Sequence, residues 1–327
     1  MRAIFLGAGA AFFFAFTFII NRAMDMDGGS WIWSSSLRYY FMLLFLLIIV
    51  GARKNIKELL IEMSKHPGMW MIWSVVGFGL FYAPLTFASS YGPGWLIAGT
   101  WQMTILSGSL LAPFFYEYHI GNNGERIRHR GRIPWRGMVF SVLILFGVLI
   151  MQLENASSLS LKDAFLCIIP ILIASFAYPL GNRKMMHICG GRLDAYQRVL
   201  GMTMASMPFW IPLSIVGLVT DGLPTTKQVV QSGSVALFSG VFATVLFFAA
   251  TDLVKDHIER LGTVEATQSL EVLFAAIGEM IFLGSALPSL PSWIGMGLVM
   301  LGMVLHSYFN AKIAQKTVPS RMADEHL

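Results

Sequence analysis

A run of about twenty apolar residues is most stable as a bilayer-spanning helix, because a helix satisfies its own backbone polar groups without water. Such runs recur along the whole of this sequence and read as ten spans. They are Ala3–Ala23, Trp31–Val50, Met69–Ser90, Gly94–Phe115, Gly137–Leu153, Ala164–Leu180, Ala195–Val219, Ser234–Thr251, Thr263–Leu283 and Trp293–Phe309. Several are short for a hydrocarbon core about 30 Å thick, and flanking Trp and Tyr residues are suited to anchor them at the interface. The fold class expected is therefore an all-α polytopic membrane protein with ten transmembrane helices. Composition agrees, since 56% of residues are hydrophobic and only 13% charged, about half the charged share of a soluble domain. The first apolar run resembles a signal peptide but continues past its small residues into Ile20, so it reads as a retained span.

Basic residues orient the spans. With the N-terminus inside, the segments around 51–68, 116–136, 181–198 and 252–262 face the cytoplasm and hold most of the Lys and Arg, including Arg53, Lys65, Arg128, Arg183, Arg192 and Lys255. The outer loops receive only Lys162 and Lys227. This asymmetry satisfies the positive-inside rule and places both termini in the cytoplasm, as expected for a multi-pass protein of the plasma (cytoplasmic) membrane. It also accounts for the net charge of +5 without a nucleic-acid partner. Asn55–Lys65 reads as a short helix lying on the inner surface.

Short motifs recur at a fixed interval. Asn21-Arg22-x-Met24 returns as Asn182-Arg183-x-Met185, and Phe87-Ala88 returns as Phe248-Ala249, both 161 residues later. Gln102 and Gln268 stand 166 apart. The common offset predicts a five-plus-five duplication, with a first repeat over 1–158, a second over 159–311 and a cytoplasmic tail over 312–327. An odd number of spans per repeat inverts the second copy, the plan of many secondary transporters.

Gly262–Gly284 carries Glu265, Gln268, Glu271 and Glu279 in an otherwise apolar span. At about 100° per residue these four share an arc of about 120°, opposite Leu270, Phe274, Ile277 and Ile281. A charge at mid-bilayer costs on the order of 3 kcal/mol, so acids on one stripe imply a protein interior or a watery cavity. Glu265 and Glu279 lie nearer the helix ends, where an interfacial role is the alternative, whereas Glu271 lies deeper.

Ten spans and the segment SLEVLFAAIGEMIFLG resemble the drug/metabolite transporter superfamily, whose members commonly read Leu-Glu-Pro-Val-Phe-Ala-Ala and then Leu-Gly-Glu here. Leu270-Glu271 matches, Val272 replaces the usual proline, and Leu283-Gly284 is followed by Ser285. Together with Gly278-Glu279 and the turn Tyr91-Gly92-Pro93-Gly94-Trp95, these departures resemble a ten-helix branch labelled multidrug resistance efflux transporters. The resemblance implies export more directly than it implies drugs. Small four-span exporters of the superfamily use a glutamate in their first span, but this chain has no acid between Ala3 and Ala23.

Other candidates are polar or aromatic residues within spans. Arg38 is the clear intramembrane cation, with Ser34 and Ser35 on its face, and either an ion pair with a ninth-span glutamate or contact with a substrate anion would settle its charge. Gln102 and Gln268 are candidate site-lining amides, with interhelical hydrogen bonding as the structural alternative. Trp101 and Tyr82 are candidates to receive a flat or cationic substrate, and Tyr178 and Trp210 are similar in kind. No His-Glu-x-x-His, Gly-x-Ser-x-Gly or phosphate loop occurs, and the two cysteines have no metal spacing. The expectation is therefore no enzyme, no catalytic residue, no cofactor and no metal.

The function expected is secondary active export of a small organic molecule by alternating access, with protons exchanged through Glu271 first, Glu279 second and Glu265 third. An amphipathic cation is the natural substrate if proton and substrate compete for one carboxylate. The alternative is an exporter or facilitator of amino acids or other metabolites without proton coupling. The partners are substrate, protons and the lipid bilayer. A monomer can complete the pathway, with a homodimer as the alternative.

Overall fold

A computed structural model describes residues 2–120, 126–130, 133, 135–158, 160–253, 264 and 266–317. The chain begins with α1 (Arg2–Met26), α2 (Trp31–Ala52) and the short α3 (Ile56–Lys65). Then come α4 (Pro67–Ser74) and α5 (Leu80–Ala88), joined by a π-helical turn over Val75–Gly79. The next helices, α6 (Gly94–Trp101) and α7 (Met103–Leu110), lead into an antiparallel hairpin of β1 (Tyr116–Ile120) and β2 (Arg126–Arg130). Three long helices come next, α8 (Trp135–Ser158), α9 (Leu161–Cys189) and α10 (Ala195–Thr220). Between α11 (Thr226–Val235) and α12 (Thr244–Asp252) lies a second π-helical segment, Ala236–Ala243. The last helices are α13 (Leu270–Leu283) and α14 (Leu290–Thr317).

Among the described residues, seven helices are long and apolar enough to cross a membrane, not the ten expected. The expected spans Gly94–Phe115, Gly137–Leu153 and Thr263–Leu283 fall short of that length. In the first of these, the Gln102 amide bonds to Gly99 O at 3.2 Å instead of one residue further back, and its side chain takes Ala98 O at 3.3 Å. The helix is thereby interrupted between α6 and α7, and it ends in a 3₁₀ turn containing Pro113. In the third, Thr267 and Ser269 turn their hydroxyls onto Val264 O and Ala266 O, within or next to a 3₁₀ turn that precedes α13. Gly284, at φ 62°, then stops α13 in the left-handed region. For Gly137–Leu153, the apolar stretch described within the 24-residue α8 is Met138–Leu153, below span length.

Nor do the described helices display two inverted five-helix repeats. The most extensive contacts join α8 to α14, α5 to α9, α2 to α10 and α1 to α13 and α12, and all of these cross the expected boundary after residue 158. Pairing of α8 with α14 depends on small residues. A Cβ on Gly147 would stand 2.5 Å from Gly295 O, so only glycine admits this approach. Ser141 and the His306 ring add a hydrogen bond of 2.8 Å across the same seam.

Polar belts close both ends of α2, against α3 and the start of α10 at one end and against α11 at the other. At one end, Glu62 of α3 is buried and accepts Arg192 (Nε 3.0 Å, Nη2 2.5 Å) and Lys65 (2.6 Å). Asp194 caps α10 in a capping box with Gln197, whose side chain also donates to Asn55 O at 3.0 Å. At the other end, Lys227 pairs with Asp27 at 2.7 Å, and Gln228 donates to Ser30 O at 2.7 Å. Arg192 and Lys65 together hold the Glu62 carboxyl at about 2, below its ordinary 4.5. Its contribution to stability is therefore complete above pH 4.5 and is lost as the pH falls toward 2. Both cations are about half exposed, so Glu62→Gln should cost about 1–2 kcal/mol at pH 7. Thermal unfolding in detergent should show this gap narrowing steadily below pH 4.5.

Candidate functional site

Arg38 enters the interior from the middle of α2, buried to 6% exposure. Its guanidinium lies over the Tyr82 ring, 3.9 Å from the centroid, and Nη2 donates to Ser239 Oγ at 3.2 Å. The Arg38 Nε and Nη1 have no hydrogen-bond partner. Among the described residues no carboxylate comes within ion-pair distance of Arg38, so the pairing with Glu271 weighed from the sequence is not formed. Ser34 and Ser35, expected on its polar face, instead bond to the carbonyls of Ser30 and Ile32.

Tyr82, from α5, is fully buried and exchanges hydrogen bonds of 3.1 Å with the Asn21 side chain of α1. Aromatic rings extend from it in both directions. Tyr39 meets it edge-on at 5.8 Å and stacks on Trp210 of α10 at 4.3 Å and 16°. On the other side Phe81 contacts Trp101 at 4.9 Å and Tyr178 at 4.7 Å. Tyr82, Trp101, Tyr178 and Trp210, four of the aromatics read from the sequence, thus gather with Tyr39 and Phe81 into one wall, contributed by α2, α5, α6, α9 and α10. Tyr178 keeps 36% exposure, which makes it the open edge of that wall.

Glu271 lies in the first turn of α13 at 6% exposure. Among the described residues nothing donates a hydrogen bond to it and no cation pairs with it. Glu279, two turns on, is 1% exposed and differs in kind. Its Oε1 accepts the Gly94 amide at 2.6 Å, at the N-terminus of α6, while Oε2 has no partner. A carboxylate there complements the positive end of the helix, and it ties α13 to α6. Glu265 lies outside the described residues.

The two amides expected to line the site are not joined. Gln102 bonds back to its own helix, and Gln268 donates to Gly7 O of α1 at 3.2 Å. Beside Gln268, a groove of about 680 Å³ opens between α14 and the start of α13, bordered by Thr267, Ser269, Leu270, Met300 and Tyr308. Ser239 and Thr17 had not been singled out from the sequence, and Asn21 only as part of a repeated motif. Each is a buried polar residue in a strongly apolar helix, and that isolation was the available signal. Among the described residues no group of three His, Cys, Asp or Glu side chains could hold a metal.

Because Oε1 carries a charge-assisted bond to a buried amide, Glu279→Ala should lower stability by about 1.5–3 kcal/mol. Glu279→Gln, which keeps an acceptor oxygen, should lose less. Comparison of unfolding midpoints in detergent reads this order, and equal losses would contradict a bonding role.

A family described as "EmrE: Putative multidrug resistance efflux transporter" matches residues 1–312. An uncharacterized protein of Bacillus subtilis (strain 168), YjlA, is 52% identical over 327 residues, covering 100% of this chain and 99% of its own length. An uncharacterized 42.1 kDa protein of Shouchella clausii, encoded in the intracellular alkaline protease 3′ region, is 49% identical over 271 residues. That match covers 83% of this chain and 70% of the relative.

Proposed function

We propose, for a chain that belongs to this efflux transporter family and is thus a small-molecule transporter of the drug/metabolite superfamily, that it exports amphipathic organic compounds in exchange for protons. The seven long apolar helices among its described residues make it a multi-pass membrane protein, and its family makes it a transporter rather than an enzyme. The plasma membrane is the location that fits, with both termini cytoplasmic, because the basic loops then lie inside.

One observation carries the reading, the burial of Glu271 without a bonding partner among the described residues. A carboxylate committed to a fixed pair cannot trade partners during a cycle, whereas one without a fixed partner can hold a proton or a cationic group in turn. Glu279 is the weaker candidate because its Oε1 is occupied by the Gly94 amide. The aromatic wall through Tyr82 and Trp101 suits the flat or apolar part of a substrate. Alternating access results if proton and substrate favour opposite-facing states, since each then shifts the conformational population its own way.

Purified protein in weakly buffered detergent should release protons when lipophilic cations are added, and Glu271→Gln should bind without release. Wild-type affinity for the cation should weaken about tenfold for each unit by which the pH falls within the range where Glu271 is protonated. Substrate binding with no proton release from the wild type would remove proton exchange from the mechanism.

A further inference from the structure

We propose that Arg38 and Ser239 form an anion-binding subsite that takes the carboxylate of an aromatic substrate. This rests on the reading of the chain as an exporter of small organic molecules, and it adds a charge preference which the acids of α13 do not supply.

A guanidinium has five N–H groups and no acceptor. In Arg38, Nη2 reaches Ser239 Oγ at 3.2 Å, while Nε and Nη1 reach nothing. Ser239 Oγ also accepts Thr17 Oγ1, at 2.6 Å. With two hydrogen bonds accepted, its lone pairs are used and its own hydrogen is left to donate. Every unused polar position in this cluster is therefore a donor, and only an acceptor-rich group can complete it.

Tyr82 does not replace that group. Its ring covers a face of the guanidinium, but the N–H bonds lie in the guanidinium plane and point past the ring. Nor does the protein supply a counter-ion, since no carboxylate pairs with Arg38 among the described residues. A buried cation with free N–H groups is strongly unfavourable unless an anion reaches it. A carboxylate matches guanidinium geometry better than a spherical ion does.

The neighbours set the rest of the ligand. Tyr82, Tyr39 and Trp210 are buried and packed on one another, and next to Tyr82 the partly buried rings of Phe81 and Trp101 and the more exposed Tyr178 continue the aromatic surface. A ring attached to the carboxylate through a short linker would lie against these. The substrate class assigned is an aromatic carboxylate.

Three probes of similar size separate the possibilities: 3-phenylpropionate (anion), phenylalanine (zwitterion) and phenethylamine (cation). Equilibrium binding of each would be measured on the full chain in lipid nanodiscs. In wild type the two carboxylates should bind. Arg38→Gln should weaken both by about tenfold or more, leaving phenethylamine within about threefold. Ser239→Ala, which keeps the buried cation, should weaken the carboxylates several-fold, and it decides the matter if Arg38→Gln does not fold. The subsite is overturned if neither carboxylate binds wild type, or if Ser239→Ala binds them as wild type does. Equal loss of all three probes in Arg38→Gln overturns it as well. Proton release recorded on the same samples keeps the two proposals apart. Release on phenethylamine without carboxylate binding leaves the exporter and removes the subsite, whereas Arg38-dependent carboxylate binding without release removes only proton exchange.

Discussion

Hydrocarbon offers no hydrogen bonds, so each polar side chain on a spanning helix must be satisfied by its own backbone, by a neighbouring helix or by a solute. The rest of this architecture depends on how that constraint is met. On α2, Tyr40 bonds to Trp210 O and Ser214, Tyr39 to Phe78 O, and Ser35 to its own helix. These bonds, together with Gln197 on Asn55 O, make α2 and α10 a closely tied pair. Arg38 lies in the middle of this helix with Nε and Nη1 unpartnered, and the nearby Ser36 Oγ is likewise buried without a partner, which marks the place as a site.

The two buried acids of α13 divide in the same way. Glu279 is spent on the first amide of α6 and so fixes one helix against another. Glu271, on the same helix, has no such task. Burial alone would not tell them apart, since both are nearly inaccessible. What separates them is whether a partner is already present.

Much of this was legible in the sequence, and what was not has local causes. The membrane class, the intramembrane Arg38 and the acids of α13 all come from residue type in an apolar context. The gathering of the aromatics was not foreseen, and Tyr39, which links Tyr82 to Trp210, was not among those named. Helix continuity was misread. Hydropathy sums over a window and cannot register a single amide at Gln102 that bonds three residues back rather than four. The wheel drawn for Gly262–Gly284 assumed a constant 100° per residue, but the 3₁₀ turn over Thr267–Ser269 winds more tightly and shifts the phase between Gln268 and Glu271. Gln268 consequently meets α1. Basic residues read only as topology signals also have specific tasks, as Arg192 has on Glu62.

The π-helical segments at Val75–Gly79 and Ala236–Ala243 carry a consequence for the length of the chain. A π turn holds more residues per turn than an α turn, and the surplus is absorbed within the helix instead of in a loop. Deleting one residue from Ala236–Ala243 would let the segment return to α geometry with α12 kept near its present orientation, whereas the same deletion within an α-helical stretch would swing everything beyond it by about 100° about the helix axis. Only residues inside the segment, Ser239 among them, would change the face they present to α1 and α2. Loops elsewhere can absorb an insertion or a deletion, and at these two places the helix itself can do so.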